Sequence, residues 1–168
     1  MKRTSEEAII LLGHGSRVSG AAQDMNRVGI RLKEKFGYAM VETCSMSRLG
    51  PRFPEVFERC VAQGARKIIV IPYFLHSGLH LVLDIPQMLQ EKGREFPDVE
   101  IVLGKNLGFD EGLVDLVERR IQEALDFPDV RTQKLKGKDH YPLPPGELEF
   151  VPLPPERATR YNPEDPHH

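Results

Sequence analysis

The sequence predicts an α/β fold: a four-stranded parallel sheet flanked by helices in a three-layer sandwich. Short apolar runs alternate with longer segments whose apolar residues recur at steps of three and four, and glycines follow several of those segments. The first pattern is typical of buried strands and the second of helices with one apolar face. Strands that alternate with helices in this way form parallel sheets.

Four apolar runs are the predicted strands. They are "AIILL" (8–12), "AMVETC" (39–44), "KIIVIPYFL" (67–75) and "VEIVL" (99–103). Four runs, each followed by a helical segment, make four strand–helix units in about 125 residues.

Four helices are predicted after these strands. The first ends before Gly37 and the second before Gly64, because glycine commonly follows the last turn of a helix. The third is expected to begin with Asp84 as its N-cap and to end at Gly93. The fourth follows Asp110, where leucine, valine and isoleucine recur with helical spacing.

The chain divides into a compact domain, residues 1–128, and an extended proline-rich tail, residues 129–168. Eight of the 14 prolines fall between Pro142 and Pro166, where few backbone donors remain for regular structure. The tail also carries apolar side chains, so we expect it to lie along the body of the protein or along a partner subunit.

Composition excludes several classes of protein. With 168 residues and 40% hydrophobic residues, the chain is long enough to bury a core. A net charge of −2 gives no basic face for nucleic acid, and no apolar stretch reaches the ~18 residues that a membrane helix needs. Its two cysteines match neither metal-binding spacing nor a secreted disulfide framework. We therefore expect a cytoplasmic protein that binds neither nucleic acid nor membrane.

Polar residues follow all four predicted strands. In open α/β sheets, ligands bind beyond the carboxyl ends of the strands, so these residues are the candidates for a site. They are His14, Gly15, Ser16 and Arg17 after the first strand, Ser45, Ser47 and Arg48 after the second, His76, Ser77, Gly78 and His80 after the third, and Lys105 and Asn106 after the fourth. Taken singly, Gly15 and Ser16 also fit an ordinary turn and cap. Convergence of separate loops on one edge favours a ligand site.

Known catalytic motifs fit these residues poorly. His76 and His80 have the spacing of helical zinc ligands, but Gly78 lies between them and no glutamate follows His76. "GHGSR" lacks the glycine–serine–glycine pattern of a nucleophile elbow. The glycines of "GHGSRVSG" are too loosely spaced for a dinucleotide or P-loop fingerprint.

Two longer motifs together resemble a known family. "LLGHGSR" after the first strand and "IPYFLHSGLHLVLDIP" after the third are similar to the short sirohydrochlorin chelatases of the CbiX/SirB type, which are class II tetrapyrrole chelatases. The resemblance covers about residues 8–125. It implies a flavodoxin-like or chelatase-like sandwich and a lyase of cobalamin or sirohaem biosynthesis. Such an enzyme inserts Co²⁺, Fe²⁺ or Ni²⁺ into sirohydrochlorin without ATP. The metal is a substrate, and no permanent cofactor is implied.

The resemblance also assigns roles. It implies that His14 and His80 are the catalytic pair, acting as proton acceptors and metal ligands, with His76 as a third candidate ligand. A neutral imidazole suits both roles, because it accepts protons near neutral pH and binds borderline divalent metals. Predicted substrate contacts are Gly15, Ser16, Arg17, Ser47, Arg48, Ser77 and Gly78, while Arg52 and Lys105 are further donors for peripheral carboxylates.

The sequence departs from the family pattern at one place. Family members often carry a glutamate after the second strand, in a pattern like "E-L-x-x-P". Here the corresponding stretch is "SMSRLGP", with Ser47 at the glutamate position and Gly50 where a second acid often stands.

The sequence also leaves two alternative functions open, and it predicts an oligomeric state. A non-catalytic carrier of tetrapyrrole or metal would use the same histidines. A histidine phosphatase or mutase also presents a histidine–glycine pair, but it needs an arginine where Gly13 stands. Because one unit is small beside a tetrapyrrole and longer relatives carry two units, we expect a homodimer.

Overall fold

The computed structural model describes residues 6–15, 21–46, 51–78 and 80–134, apart from the side chains of residues 21, 80 and 81. Its regular elements are β1 (Glu7–Gly13), α1 (Ala21–Phe36), β2 (Met40–Ser45), α2 (Phe53–Ala62), β3 (Lys67–Pro72), a π-helical turn (His80–Asp84), α3 (Ile85–Glu95), β4 (Glu100–Leu103), α4 (Glu111–Ala124) and a 3₁₀ turn (Val130–Thr132). The predicted α/β fold is confirmed.

The four strands form one parallel sheet in the order β2-β1-β3-β4. Strand β1 lies inside the sheet, where Leu12 is paired with Cys44 on one side and Pro72 on the other. The chain leaves β1 toward β2 and later returns to the opposite side of β1 as β3. The crevice between β1 and β3 is therefore the topological switch point, where open α/β sheets bind their ligands.

The larger core lies between one face of the sheet and helices α2 and α3. Alternate strand residues point into it because successive side chains of a strand face opposite ways. It is built from Ala8, Ile10, Leu12, Ile68 and Val70 of the sheet with Phe53, Val56, Phe57, Cys60, Ile85 and Leu89 of the helices. The Phe57 ring packs against Phe53 at 5.6 Å and against Phe96 at 5.3 Å between ring centroids.

A smaller core lies on the other face, beneath α1. There Ile9, Leu11 and Val41 are buried, and Met25 and Leu32 of α1 pack against them. Helix α1 lies over the β1–β2 half of the sheet. The protein is thus a three-layer sandwich, with α1 on one face and the α2–α3 pair on the other.

Three predicted boundaries were wrong. Helix α3 continues two residues beyond Gly93, to Glu95. Strand β3 ends at Pro72 and not at residue 75, because the Phe74 carbonyl bonds to the loop after β4 and no longer to a strand. Asp84 does not cap α3: it has helical angles (φ −71°, ψ −43°), and its side chain makes no capping bond. The π-helical turn runs directly into α3, so the helical segment begins before Asp84.

The predicted proline-rich tail lies almost wholly outside the described residues. Of residues 129–168, the structure describes 129–134, which hold the 3₁₀ turn with Asp129 accepting a hydrogen bond from the Arg131 amide at 2.8 Å. One compact unit spans Met1–Gln133. The domain boundary at residue 128 stays a prediction.

Both cysteines are free and buried. Burial raises the pKa of the Cys44 thiol to about 12 and that of Cys60 to about 11. Each is therefore a neutral thiol at physiological pH, and the thiolate is the reactive form. As buried neutral thiols, neither cysteine is suited to act as a nucleophile. No helix in the described part of the chain is long and apolar enough to cross a bilayer.

The larger core predicts a matched pair of stability effects. Phe57→Ala should lower the free energy of unfolding by about 3–5 kcal/mol, because it leaves a cavity among packed rings. Phe36→Ala, which shortens a half-exposed phenylalanine at the end of α1, should cost much less. Chemical denaturation of both variants measures the difference, and equal losses would contradict the assignment of the core.

Candidate functional site

The structure brings most of the predicted polar residues to the carboxyl edge of the sheet. His14 and Gly15 directly follow β1, and Ser45 ends β2. The loop after β3 carries His76, Ser77 and Gly78, and the loop after β4 carries Lys105 and Asn106. In a parallel sheet all these positions share one edge, so one ligand can reach several loops.

His14 is held in place by the backbone that precedes it. The Leu12 carbonyl accepts a hydrogen bond from the Tyr73 amide at 2.8 Å, and the Gly13 carbonyl accepts one from the Met46 amide at 3.0 Å. Gly13 is closely packed, since an added Cβ would lie 3.1 Å from the sulfur of Met25 and that side chain would have to shift by a few tenths of an ångström. His14 is therefore presented, exposed, from a backbone fixed on both sides.

The ring of His14 lies beside an aromatic ring. Its centroid is 6.3 Å from that of Phe74, with the planes at 74°, an edge-to-face arrangement. Such pairs favour a defined ring orientation. Sequence analysis missed Phe74 because the apolar run "KIIVIPYFL" was assigned to the strand in full. The signal that could have found it is the aromatic pair directly after Pro72, since proline often ends a strand.

Gly15 directly follows His14 and has a backbone conformation that favours glycine. Its φ is +93°, which residues with a Cβ rarely adopt. The second glycine of "GHGS" therefore has a structural role of its own, because it allows this positive φ next to His14.

The loops after β3 and β4 are tied together next to this ring. The Phe74 carbonyl accepts hydrogen bonds from the side-chain amide of Asn106 at 3.2 Å and from the Gly108 amide at 3.4 Å. Sequence analysis placed Asn106 at this edge as a polar residue. Its contact shows that it positions the segment whose ring packs against His14.

His80 is the first residue of the π-helical turn. The turn follows the loop after β3, and the Val82 amide donates to the Gly78 carbonyl at 3.1 Å. Single π-helical turns occur frequently at functional sites. The backbone thus carries His80 to the same edge as His14, while its side chain lies outside the described atoms.

Exposed apolar residues lie before and after the histidines of this segment in the sequence. Leu75, Val82 and Leu83 are 48–62% exposed, and Leu75 directly precedes the exposed His76. These three residues, the apolar rim, place an apolar surface beside hydrogen-bonding groups. Ligand sites commonly combine the two.

The described cations of this edge differ in their pairing. Arg52 lies beside the end of β2 and forms an ion pair with Glu55 at 3.3 Å, with both side chains more than half exposed. Such an exposed pair contributes little and can be exchanged for another anion. Lys105 is exposed and makes no ion pair with any other described residue.

Several predicted site residues fall outside the described part of the chain. Ser16, Arg17, Ser47 and Arg48 lie in the undescribed segments, as does the side chain of His80. Among the side chains that the structure describes, no three from histidine, cysteine, aspartate and glutamate gather into a metal-binding cluster. The pairing of His14 with His80, the ligand role of His76 and the substrate contacts stay predictions.

Comparison with known proteins adds independent findings. The family model CbiX matches residues 8–124. A sirohydrochlorin ferrochelatase of Priestia megaterium is 32% identical over 118 residues, which cover 70% of this chain and 44% of that protein. The chain spans about half the length of the first curated relatives that it matches.

Two solved structures share the fold. The sirohydrochlorin chelatase SirB from Bacillus subtilis subspecies spizizenii, in complex with cobalt, is 32% identical with a TM-score of 0.65, over 70% of this chain and 50% of SirB. A putative cobalamin biosynthesis CbiX protein from Marinobacter aquaeolei VT8 is 26% identical with a TM-score of 0.61, over 71% of this chain and 98% of that chain. The match therefore spans half of the SirB chain and nearly all of the Marinobacter chain.

The positive φ of Gly15 predicts unequal effects of substitutions at two glycines of this edge. Gly15→Ala should lower the free energy of unfolding by about 1–3 kcal/mol, because alanine is strained at a positive φ. Gly78→Ala should cost little, since no atom lies within 4 Å of the Cβ that it adds. Thermal and chemical denaturation measure the stability of both variants. A Gly15→Ala variant as stable as the wild type would show that Gly15 does not have a positive φ.

Proposed function

Because this chain belongs to the CbiX family, we propose that it inserts a divalent metal ion, Co²⁺ or Fe²⁺, into sirohydrochlorin without ATP. The observation that supports the proposal is the combination at the switch-point edge of the sheet. His14 is exposed on a fixed backbone, its ring packs against Phe74, and the segment after Phe74 carries His76, His80 and the apolar rim. Sirohydrochlorin and iron are in the name of the Priestia relative, and the SirB structure holds cobalt.

In the proposed reaction, the loss of two protons from the macrocycle balances the charge of the divalent metal ion that enters it. A divalent ion enters the ring from one face while two pyrrole N–H groups lose their protons. We assign His14 and His80 to this step: one imidazole holds the metal near the ring, and the other accepts the two protons one after the other and passes each to solvent water, since neutral imidazole can bind a metal or accept a proton. His76, on the same loop as His80, is the third candidate ligand. The metal is consumed as a substrate, and Ni²⁺ fits the same nitrogen donors.

The proposed substrate contacts follow from the shape of the macrocycle. Its flat face is apolar, so it fits the apolar rim of Leu75, Val82 and Leu83. Its edge carries carboxylates, which suit Lys105, Arg52 and the backbone amides near Gly15. The remaining proposed contacts are Ser16, Arg17, Ser47, Arg48, Ser77 and Gly78.

We further propose that the active form is a homodimer in the cytoplasm. The chain matches only about half of its first curated relatives, so a second copy would supply an equivalent second unit. Two buried free thiols suit a reducing compartment.

A carrier without turnover is the second candidate. It is favoured by one observation, Ser47 at the position where family members often have a glutamate, because this removes a carboxylate from the site. A metal-insertion assay with sirohydrochlorin and Co²⁺ in large excess over the protein distinguishes an enzyme from a carrier. An enzyme forms many equivalents of product per chain, whereas a carrier gives one spectral change per chain.

The histidine assignments predict a graded series of variants. His14→Ala and His80→Ala should each slow insertion of Co²⁺ and Fe²⁺ by ~10²–10⁴-fold, the usual contribution of a positioned proton acceptor. His76→Ala should cost much less. Initial rates of metal insertion measure this, with thermal melts as the folding control. Full rates in both His14→Ala and His80→Ala would overturn the mechanism, and a loss confined to His76→Ala would move the role to that residue.

The apolar rim predicts an effect on substrate binding. Leu83→Asn should raise KM for sirohydrochlorin about fivefold with kcat nearly unchanged, because it removes part of an apolar contact worth about 1 kcal/mol. Ile30→Asn, a matched change of a half-exposed residue on α1, should leave KM unchanged. Steady-state kinetics of the two variants decide this, and an unaltered KM in Leu83→Asn would remove the rim from the substrate site.

A further inference from the structure

The backbone of Phe74 is held by bonds that the sheet does not supply. Strand β3 ends its paired register at Pro72, so the Phe74 carbonyl lies beyond the strand. That carbonyl accepts hydrogen bonds from the side-chain amide of Asn106 at 3.2 Å and from the Gly108 amide at 3.4 Å. Because 3.4 Å exceeds the usual length of such a bond, Asn106 supplies the stronger of the two.

The loop that carries Asn106 is anchored at both ends. Where the loop leaves β4, the Gly104 amide donates to the Val70 carbonyl at 2.8 Å. Where it enters α4, Asp110 caps the helix by accepting a hydrogen bond at 2.8 Å from an amide of the first turn. Asn106 is half-buried between these anchors. Its amide is therefore presented to Phe74 from a short segment that is fixed on both sides.

The ring of Phe74 contacts both the larger core and the proposed metal ligand. It is half-buried and packs against the core cluster between the sheet and helices α2 and α3. It also meets the ring of His14, with 6.3 Å between centroids and 74° between planes. An edge-to-face pair favours one relative orientation of its two rings. A displacement of Phe74 would therefore change the orientation that the His14 ring prefers.

We propose that Asn106 is a positioning residue: by holding the Phe74 carbonyl it fixes the Phe74 ring, and through that ring it orients the His14 imidazole for metal binding. The last step rests on the proposed function, in which His14 binds the metal ion. Residues that orient a metal-binding histidine typically change metal affinity or activity ~10–100-fold when they are substituted.

The alternative role for Asn106 is a direct contact with the substrate. Its place at the carboxyl edge of the sheet is compatible with that role. Two observations favour positioning instead: the side-chain amide already donates to the Phe74 carbonyl, and Asn106 is half-buried whereas its neighbours Lys105 and Leu107 are exposed. The two roles differ in a measurable way, because only a positioning residue alters the His14 ring in the absence of substrate.

Nuclear magnetic resonance of the metal-free full chain, with isotope-labelled histidine, tests the proposal. The ring signals of His14 are those that disappear in His14→Ala. Asn106→Leu, which keeps the size of the side chain and removes its donor, should shift these signals. Leu107→Asn, the reverse change at the adjacent exposed residue, is the matched control and should leave them unchanged.

A double variant tests the route through Phe74. Phe74→Leu removes the ring and keeps the carbonyl that Asn106 binds, so it should shift the His14 signals as well. Adding Asn106→Leu to Phe74→Leu should cause no further shift, because the ring that transmits the effect is gone. Unchanged His14 signals in Asn106→Leu would overturn the proposal, and so would a double variant whose shift equals the sum of the two single shifts.

The wild type provides a measurement that does not depend on the folding of any variant. Ring protons of His14 and Phe74 should show a nuclear Overhauser contact, since an edge-to-face pair at this distance brings their edges together. Absence of that contact in the wild type would overturn the proposal.

Binding of Co²⁺ alone measures the consequence for the site. Asn106→Leu should weaken Co²⁺ binding about tenfold, measured by competition with a coloured chelator, while Leu107→Asn should bind like the wild type. In the insertion assay, Asn106→Leu should lower kcat and leave KM for sirohydrochlorin nearly unchanged. A raised KM with unchanged His14 ring signals would make Asn106 a substrate contact and overturn the positioning role.

These measurements keep the two proposals separate. A wild type that binds Co²⁺ through His14 but inserts none into sirohydrochlorin would overturn the proposed function and leave the role of Asn106 standing. Insertion by the wild type, combined with equal Co²⁺ affinity in Asn106→Leu, would do the reverse.

Discussion

The position of β1 inside the sheet is the constraint on which the rest of the structure depends. Its backbone is paired on both sides, and the carbonyls of Leu12 and Gly13 are bound by amides that follow β3 and β2. Backbone groups so engaged cannot move without breaking hydrogen bonds in a dry interior, which is costly. The end of β1 therefore presents the exposed His14 from a backbone that is held on both sides.

Sequence periodicity was enough to predict the sheet, its four helices and the edge where polar residues converge. It succeeded because burial on a sheet or a helix repeats every two or every 3.6 residues. It failed at Pro72 and Asp84, where the outcome depends on tertiary contacts. The Phe74 carbonyl accepts hydrogen bonds from a loop distant in sequence, and a π-helical turn begins the helical segment before α3. Neither feature leaves a periodic pattern in the local sequence. Periodicity alone also did not single out the Phe74 ring beside His14, although the proline before the aromatic pair marks the end of the strand.

The proposed site combines rigid and adaptable parts. Gly13 and Gly15 shape the chain around His14, one by close packing against Met25 and the other by a positive φ. The side that faces His14 is built from loops that bind each other through Phe74. In the proposed reaction, His14 would act from the fixed end of β1, and the loops after β3 and β4 would form the wall beside it. The replacement of the family glutamate by Ser47 leaves nitrogen donors as the main candidates for metal transfer.

The central claim is that histidines at the switch point of the sheet hold the metal ion on its way into the substrate. X-ray absorption of the full chain loaded with one equivalent of Co²⁺, without tetrapyrrole, tests it most directly. The account predicts nitrogen ligation with the outer-shell scattering of imidazole, and a loss of part of that scattering in His14→Ala. A shell of oxygen ligands alone, or a spectrum that His14→Ala leaves unchanged, would contradict it.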